Sequence, residues 1–282
     1  MSELTIKAIA PWFGANRMLA PAVGEELRGC EWVGIPFAGS MAEVPEIKAR
    51  AIVVNDVHRH VINLALCLQC ETRRQLLVDR LANAAFHPDA LEKARLGCRA
   101  IEGDRSYGMR QVTGSVEWAY SYFIACWMNR SALAGTDGEF KGGLPIRWSA
   151  SGGDSNTRYR SAVASLDAWG ATMRRCNFST LDWRQFVAKC KDAPRHGVYC
   201  DPPFPGPGEK YKYTMTDHDH RDLASVLADF TSARVVCRFY DCPLVRELYP
   251  EGRWTWRRLA GRDQANNDAK PELLIINGAS LA

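Results

Sequence analysis

The sequence has no long apolar run and no basic leader in front of one. No window approaches the roughly 18 apolar residues that a membrane helix needs, and the first twelve residues do not have the pattern of a signal peptide. These absences predict a soluble, cytoplasmic protein with no membrane partner. The net charge of +4 is small, so it permits a polyanionic partner without requiring one.

Paired metal ligands are also missing. The ten cysteines are scattered, and the one close pair, Cys67 and Cys70, has no matching histidine or cysteine pair elsewhere. We therefore expect reduced core cysteines and no metal site. The 282 residues, 46% of them hydrophobic, suffice for one domain with a large core and an insertion.

Residues 198–204 read Val-Tyr-Cys-Asp-Pro-Pro-Phe. Three apolar residues followed by an acid and two prolines predict a buried strand that stops abruptly, because proline has no ladder donor and fixes φ. Asp201 is then presented at the carboxyl end of a strand, where open α/β sheets bind ligands. The alternative is an ordinary strand followed by a proline turn.

A second acid-ended strand lies nearer the N-terminus. Residues 31–41 read as a strand running into a small-residue turn, and the apolar run at residues 52–54 leads to Asp56. Strand, turn, helix, strand and acid is the plan of a nucleotide site, in which the carboxylate takes ribose hydroxyls. The alternative is that Asp56 caps the helix predicted over 57–68.

The middle of the chain has a different character. Residues 71–159 carry interspersed arginines and no convincing β-branched run, which predicts helices and loops. The aromatic residues of 118–127 lie at helical spacing and are expected in the core. The glycine-rich segments 135–143 and 149–156 are long for loops without a function, and could fold onto a nucleic acid.

The α/β pattern then returns. Strands are expected at 175–180, 198–200 and 235–239, followed by a closing antiparallel hairpin formed by 254–259 and 272–276. This hairpin carries arginines without a nearby acid before Asp263, which predicts a phosphate-contacting patch rather than an ordinary solvated edge. The arginines are Arg253, Arg257, Arg258 and Arg262.

The order of these parts resembles the DNA adenine N6-methyltransferases of the Dam-like D12 class, the alpha type of amino-methyltransferase. The resemblance spans nearly the whole chain and is most specific at Asp201-Pro202-Pro203-Phe204 with Tyr211. The other matching parts are the Trp12 loop, the turn from Pro36 to Ser40, Asp56, Asn129-Arg130, Gly138-Glu139-Phe140, Asp182-Trp183, His220, Leu223-Ala224, Asp241-Cys242-Pro243 and Glu272-Leu273-Leu274-Ile275.

The resemblance implies an α/β fold. Its core would be a Rossmann-like, seven-stranded, S-adenosylmethionine-dependent methyltransferase sheet, with a mainly helical target-recognition insertion. Residues 1–70 would form the cofactor half of the core, residues 71–164 the insertion, and residues 165–282 the catalytic half with the closing hairpin.

The resemblance also implies roles for individual residues. Asp201, Pro202, Pro203 and Phe204 would be catalytic. Asp56 would bind the ribose of S-adenosylmethionine and Asp182 its adenine amino group, with further cofactor contacts from Trp12, Pro36, Phe37, Ala38, Gly39, Ser40 and Trp183. Nucleic-acid contacts would come from Tyr211, Asn129, Arg130, Arg257, Arg258 and Arg262.

Four positions depart from the pattern that this family usually has. Ile35 stands where an acid is usual, Met41 where a second glycine is usual, and Asn16 where a lysine is usual. Arg238-Phe239 stands in place of a serine-asparagine pair. The expected remodelling therefore concerns the cofactor turn and the floor of the catalytic pocket.

The function implied is methyl transfer from S-adenosylmethionine to adenine N6 in double-stranded DNA with base flipping, in a bacterial or phage-infected cell. Three alternatives remain open: an RNA adenine methyltransferase, a DNA cytosine-N4 methyltransferase, and a catalytically dead DNA-binding module. A cognate restriction endonuclease is a further candidate partner, and the protein is expected to be a monomer or weak dimer.

Overall fold

The computed structural model describes residues 6–15, 17–104, 106–108, 111–130, 133–149, 153–259 and 272–282. Within these ranges no helix is long and apolar enough to cross a membrane. All ten cysteines are free thiols, as expected from their scatter.

The chain divides into two compact units. One consists of Asn16–Ala38, Glu43–Val57 and Cys176–Ala282, and we call it the sheet unit. The other consists of Met1–Ala15, Gly39–Ala42 and His58–Arg175, and we call it the helical unit. The domain boundaries at residues 70 and 165 stay predictions.

The sheet unit contains a mixed seven-stranded sheet, which confirms the α/β class and the strand number. Its order is β3-β2-β1-β4-β5-β7-β6. The first five strands along the chain pair in parallel, and β7 is antiparallel to both β5 and β6, which confirms the closing hairpin. The strands are β1 (Trp32–Ile35), β2 (Ala51–Asn55), β3 (Cys176–Ser179), β4 (His196–Cys200), β5 (Arg234–Tyr240), β6 (Thr255–Leu259) and β7 (Glu272–Ile276).

Helices cover the sheet and leave its central strands buried. Val198 in β4, Val235 in β5 and Ile275 in β7 belong to one hydrophobic core, to which α9 adds Leu223 and Leu227. α9 begins with a capping box in which Thr216 and Asp219 each bind the other's backbone N–H. The helices of this unit are α1 (Ala20–Glu26), α8 (Trp183–Val187), α9 (Asp217–Ala228) and α10 (Pro243–Leu248), with a 3₁₀ turn at Pro207–Lys210.

The helical unit confirms the predicted helical character of the middle of the chain. On α5 the aromatic stripe is buried, and Tyr122 and Trp127 are among its most enclosed side chains. The stripe is therefore core, as expected, and not a platform for bases. The helices are α2 (Arg59–Gln69), α3 (Glu71–Ala82), α4 (Pro88–Gly103), α5 (Val116–Trp127), α6 (Ser155–Ala164) and α7 (Leu166–Met173).

Candidate active site

Four loops of the sheet unit begin at one edge of the sheet. β3, β2, β1 and β4 are neighbouring parallel strands, so their carboxyl ends lie on the same side. Pro36–Ala38 follow β1, Asp56 follows β2, Asp182 lies three residues beyond β3, and Asp201–Phe204 follow β4. The direction in which successive strands are added reverses between β1 and β4, which makes this the switch point where open α/β sheets bind ligands.

Asn55 joins three of these loops. The side chain is fully buried at the end of β2, and its Nδ2 donates to the carbonyl oxygens of Pro36 and Leu181, both at 3.0 Å. Its Oδ1 accepts from Leu181 N and Ser179 Oγ, both at 2.8 Å. One amide therefore fixes the loops that carry Phe37, Asp56 and Asp182. The sequence analysis missed Asn55, although a buried polar residue at a strand end was a signal.

Asn55→Ala should destabilise the sheet unit strongly, because it leaves two carbonyls and two donors without this partner. The expected loss in the free energy of unfolding is about 3 kcal/mol, since each unsatisfied buried group costs about 1–3 kcal/mol. Ser179→Ala removes only one of the four hydrogen bonds and should cost about 1 kcal/mol. Urea unfolding of both variants measures the difference. Equal losses would show that Asn55 does not act as the joint described.

Asp56 does not cap the helix that follows it. α2 starts at Arg59 with His58 at its N-cap position and has no side-chain cap. The capping alternative for Asp56 is therefore wrong. Its proposed ribose contact stays a prediction.

Asp182 does have a structural role. Its Oδ1 accepts from Arg184 N at 2.9 Å and caps the short helix α8. A cap uses one carboxylate oxygen of two, so this role is compatible with an amino-group contact. Next to it, the Trp183 ring packs on Phe37 with centroids 6.3 Å apart, which brings two predicted cofactor residues together.

Asp201 lies beside an arginine that the sequence analysis did not connect with it. Cys200 of β4 is in register with Cys237 of β5, so the next residues, Asp201 and Arg238, are neighbours. Arg238 Nη1 donates to Asp201 Oδ2 at 2.8 Å, and the arginine side chain is only 2% exposed. The predicted catalytic acid is therefore half of an ion pair.

The same arginine binds a second carboxylate. Arg238 Nε donates to Glu272 Oε2 at 2.5 Å, and both side chains are almost completely buried. The pair follows from the β5–β7 register, in which Tyr240 is opposite Glu272 and Arg238 is opposite Leu274, so Arg238 and Glu272 are diagonal neighbours. One guanidinium thus joins the end of β4 to the start of β7.

Burial and charge set the protonation of this cluster. Burial raises the pKa of Asp201, Arg238 lowers it, and Glu272 raises it further. Burial and the charge of Asp201 together raise the pKa of the nearby Glu43 to about 7, against the lowering effect of Arg238. Three carboxyl groups therefore share one guanidinium, whose own pKa lies well above its usual value.

Phe204 lies in an aromatic environment beside this cluster. Its ring meets the edge of Tyr240 with centroids 4.9 Å apart, and the Arg238 guanidinium carbon lies 5.4 Å from its centroid. Gly208 packs against the backbone of the motif, since a Cβ there would lie 2.8 Å from the Pro203 carbonyl carbon. Burial raises the pKa of Tyr211, and Asp201 adds to this effect, so Tyr211 stays protonated near neutral pH.

Trp12, Gly39 and Ser40 belong to the helical unit. Trp12 lies between two glycines with positive φ: a Cβ on Gly135 would come within 2.5 Å of Trp12 Cζ2, and one on Gly39 within 3.1 Å of its Nε1. Its ring meets the edge of His58 at 5.0 Å. Gly135 and His58 were not among the predicted residues.

Glu139 supports this arrangement from beneath. Its Oε2 accepts from Gly135 N at 3.1 Å and is 2.9 Å from His58 Nε2, and both side chains of the pair are 2% exposed. The Gly-Glu-Phe sequence at 138–140 thus has a structural reason. It fixes the loop against which Trp12 packs.

Two of the four departing positions have a clear structural setting. Met41 adopts a φ of +59°, the left-handed region that glycine occupies without strain. Ile35 is 2% exposed at the end of β1.

Asn129 is 1% exposed, which does not support the predicted contact of its side chain with DNA. Its Nδ2 donates to the carbonyl oxygen of Lys141 at 2.8 Å and so holds the glycine-rich loop. The side chain of Arg130, by contrast, is exposed. DNA binding by this pair stays a prediction, with Arg130 as the accessible member.

The hairpin arginines have acidic partners, so the expectation that no acid lies near them is wrong. Arg257 binds Glu25 at 2.8 Å and Glu26 at 2.9 Å. Arg258 binds Glu251 at 2.6 Å, and both of these side chains are more than half exposed. The acids come from α1 and from the turn before β6, which sequence spacing did not bring together. Phosphate contact stays a prediction for both, and Arg262 lies outside the described residues.

The sheet unit thus presents a carboxylate, a proline-rich turn and an aromatic ring at a switch point, beside loops that carry two further acids. A search of the curated proteins found no match. A family model described as D12 class N6 adenine-specific DNA methyltransferase matches residues 12–259. The chain belongs to this family of DNA-methylating enzymes.

Proposed function

We propose that the protein transfers the methyl group of S-adenosylmethionine to N6 of adenine in double-stranded DNA. The observation that carries the proposal is the position of Asp201–Phe204 at the carboxyl end of β4, next to the strand reversal, in a chain of this family. Family membership supports adenine in DNA as the substrate. The cofactor, the duplex and base flipping are the finer steps that we infer.

The donor groups at the sheet edge fit S-adenosylmethionine. Asp56 offers a carboxylate to a ribose diol, and Phe37 with Trp183 offers an aromatic surface to an adenine ring. Pro36, Ala38 and Asp182 complete the proposed contacts on the sheet unit, and Trp12, Gly39 and Ser40 are the proposed contacts on the helical unit. When bound, S-adenosylmethionine supplies an electrophilic methyl group.

The motif residues address the weakness of the nucleophile. The lone pair of an adenine amino group is delocalised into the ring, which makes the nitrogen a poor nucleophile. Acceptance of its N–H bonds by the Asp201 carboxylate and the Pro202 carbonyl favours a pyramidal nitrogen with a localised lone pair. Pro203 and its proline neighbour hold that carbonyl rigidly. Fixed positioning of the reacting atoms lowers the entropic part of the barrier.

The base must leave the duplex for this chemistry. Its amino group is inaccessible inside the stack, so the adenine is flipped out at a cost of a few kcal/mol. Phe204 would stack on the flipped base and Tyr211 would help to hold it. The remaining DNA contacts are proposed for the helical unit, where Arg130 is exposed and Trp148 is 89% exposed in the glycine-rich loop region. An aromatic ring so fully exposed is a credible stacking surface for bases.

The test is an incubation with labelled S-adenosylmethionine and matched duplex DNA, single-stranded DNA and RNA, followed by digestion to nucleosides. The proposal predicts label in N6-methyladenosine from duplex DNA. Label in N4-methylcytosine, or in RNA alone, would establish one of the alternative methyltransferases. Binding of DNA without measurable affinity for the cofactor at millimolar concentration would establish the dead DNA-binding module. Sedimentation with and without DNA tests the expected monomer or weak dimer.

A further inference from the structure

The centre of the catalytic cluster is Arg238, which stands where the resemblance leads us to expect a serine-asparagine pair. Its guanidinium binds Asp201 at 2.8 Å and Glu272 at 2.5 Å, and it lies over Phe204 at 5.4 Å. It therefore contacts both the acid and the aromatic residue of the Asp-Pro-Pro-Phe motif. A 2% exposed arginine in three such contacts is a built feature of the site.

We propose that Arg238 is a positioning residue for methyl transfer: it holds the Asp201 carboxylate by Oδ2 in its ionised form and leaves Oδ1 to accept from the target amino group. This inference rests on the proposed function. Among the described residues Asp201 Oδ1 makes no hydrogen bond, so the arginine occupies only one of the two acceptor atoms.

The need for such a residue follows from the charges around Asp201. The carboxyl group is 21% exposed and lies near Glu272 and Glu43, so burial and two neighbouring acids favour its protonated form. A protonated Asp201 would lose the charge that strengthens its hydrogen bond to an amino group. An adjacent guanidinium opposes protonation, typically by one to three pH units for an aspartate.

Glu272 orients the guanidinium and moderates its charge. It fixes Nε, which sets the plane from which Nη1 reaches Asp201. Its negative charge also acts on Asp201 in the opposite direction to Arg238. Tyr199 and Tyr211 face the same cluster, and burial raises the pKa of both phenols, so neither adds a charge near neutral pH. The titrating groups are Asp201 and Glu43.

The two partners of the triad should therefore shift the pH–rate profile in opposite directions. The experiment measures single-turnover methyl transfer to duplex DNA between pH 5.5 and 9 for the wild type, Arg238→Met and Glu272→Gln. Arg238→Met should move the acidic limb up by about one to two pH units, which lowers the rate below the limb about tenfold per unit. Glu272→Gln keeps an oxygen for Nε and should move the limb down.

Arg238→Lys and Arg221→Met serve as controls. Lysine keeps a positive charge but cannot reproduce the two-sided fork, so the limb should stay near its wild-type position while the maximal rate falls. Arg221 forms an exposed pair with Glu247, and its loss should leave the profile unchanged. Because Glu43 titrates near pH 7, the series is repeated with Glu43→Gln, where the opposite shifts should persist.

A carboxyl titration by ¹³C NMR, with Asp201→Asn to assign the signal, gives a readout that needs no turnover. The titration midpoint of Asp201 should rise in Arg238→Met and fall in Glu272→Gln. If the wild type transfers no methyl group to adenine, the proposed function fails while this titration still judges Arg238. Unchanged midpoints, or a rate loss in Arg238→Met that is equal at every pH, would overturn the inference. If Arg238→Met does not fold, Glu272→Gln and Arg238→Lys decide it by the same measurements.

Discussion

Asp201→Ala should reduce methyl transfer by at least about 10³-fold, within the range found for loss of a proton-accepting catalytic group, while the affinity for S-adenosylmethionine stays within a few-fold of the wild type. The substitution removes the acceptor for the adenine amino group and leaves the proposed cofactor residues Asp56 and Asp182 on other loops. The fold should survive, because Arg238 keeps Glu272 as its partner and no unpaired charge remains buried. Single-turnover assays and calorimetry measure the two quantities.

Asp241→Asn is the matched control for this prediction. Asp241 also follows a parallel strand, β5, but its carboxylate binds Arg246 at 2.7 Å. Its loss should change the transfer rate little. A comparable loss in both variants would show that charge at the sheet edge, and not the Asp201 carboxylate itself, supports the reaction. A wild-type rate in Asp201→Ala would remove Asp201 from the mechanism.

Gly135→Ala should weaken binding of S-adenosylmethionine by about tenfold or more, equivalent to about 1.4 kcal/mol. The added methyl group would lie 2.5 Å from Trp12 Cζ2, so the indole must move. If Trp12 contacts the cofactor, as proposed, its displacement removes part of that surface. Calorimetry measures the affinity, and the near-ultraviolet dichroism of the tryptophans reports whether the indole has moved.

Gly29→Ala separates this displacement from backbone strain. Gly29 has a φ of +87° and Gly135 one of +82°, so alanine is strained to a similar degree at both positions. No atom lies within 4 Å of a Cβ at Gly29. The two variants should lose similar stability, but only Gly135→Ala should lose cofactor affinity. Equal affinities would contradict the role proposed for Trp12.

The strands and their order in the chain were readable from the sequence because each carries a local signal. The run at 198–200 is apolar and is ended by Asp201 and two prolines, and the hairpin at 254–259 and 272–276 has its own pattern. Asp56 was found in the same way. Features of this kind depend on a few adjacent residues, so one sequence suffices to predict them.

The contacts between strands were not readable in this way. Arg238 meets Asp201 only because β5 pairs with β4 in one register, and meets Glu272 only because β7 returns antiparallel on the other side. Arg257 has the same history, since its acids belong to α1. Sequence spacing contains none of these neighbours. The departure at Arg238 was visible, but its partners needed the fold.

The most direct test of methylation at adenine N6 is sequencing of modified bases in DNA from cells that express the protein or its Asp201→Ala variant. The account predicts N6-methyladenine at a recurring sequence context with the wild type and its absence with the variant. This result also gives the flanking bases and shows whether a cognate restriction endonuclease with that specificity should be sought. Methylated cytosine, or no methylated base from a wild-type protein that binds S-adenosylmethionine, would contradict it.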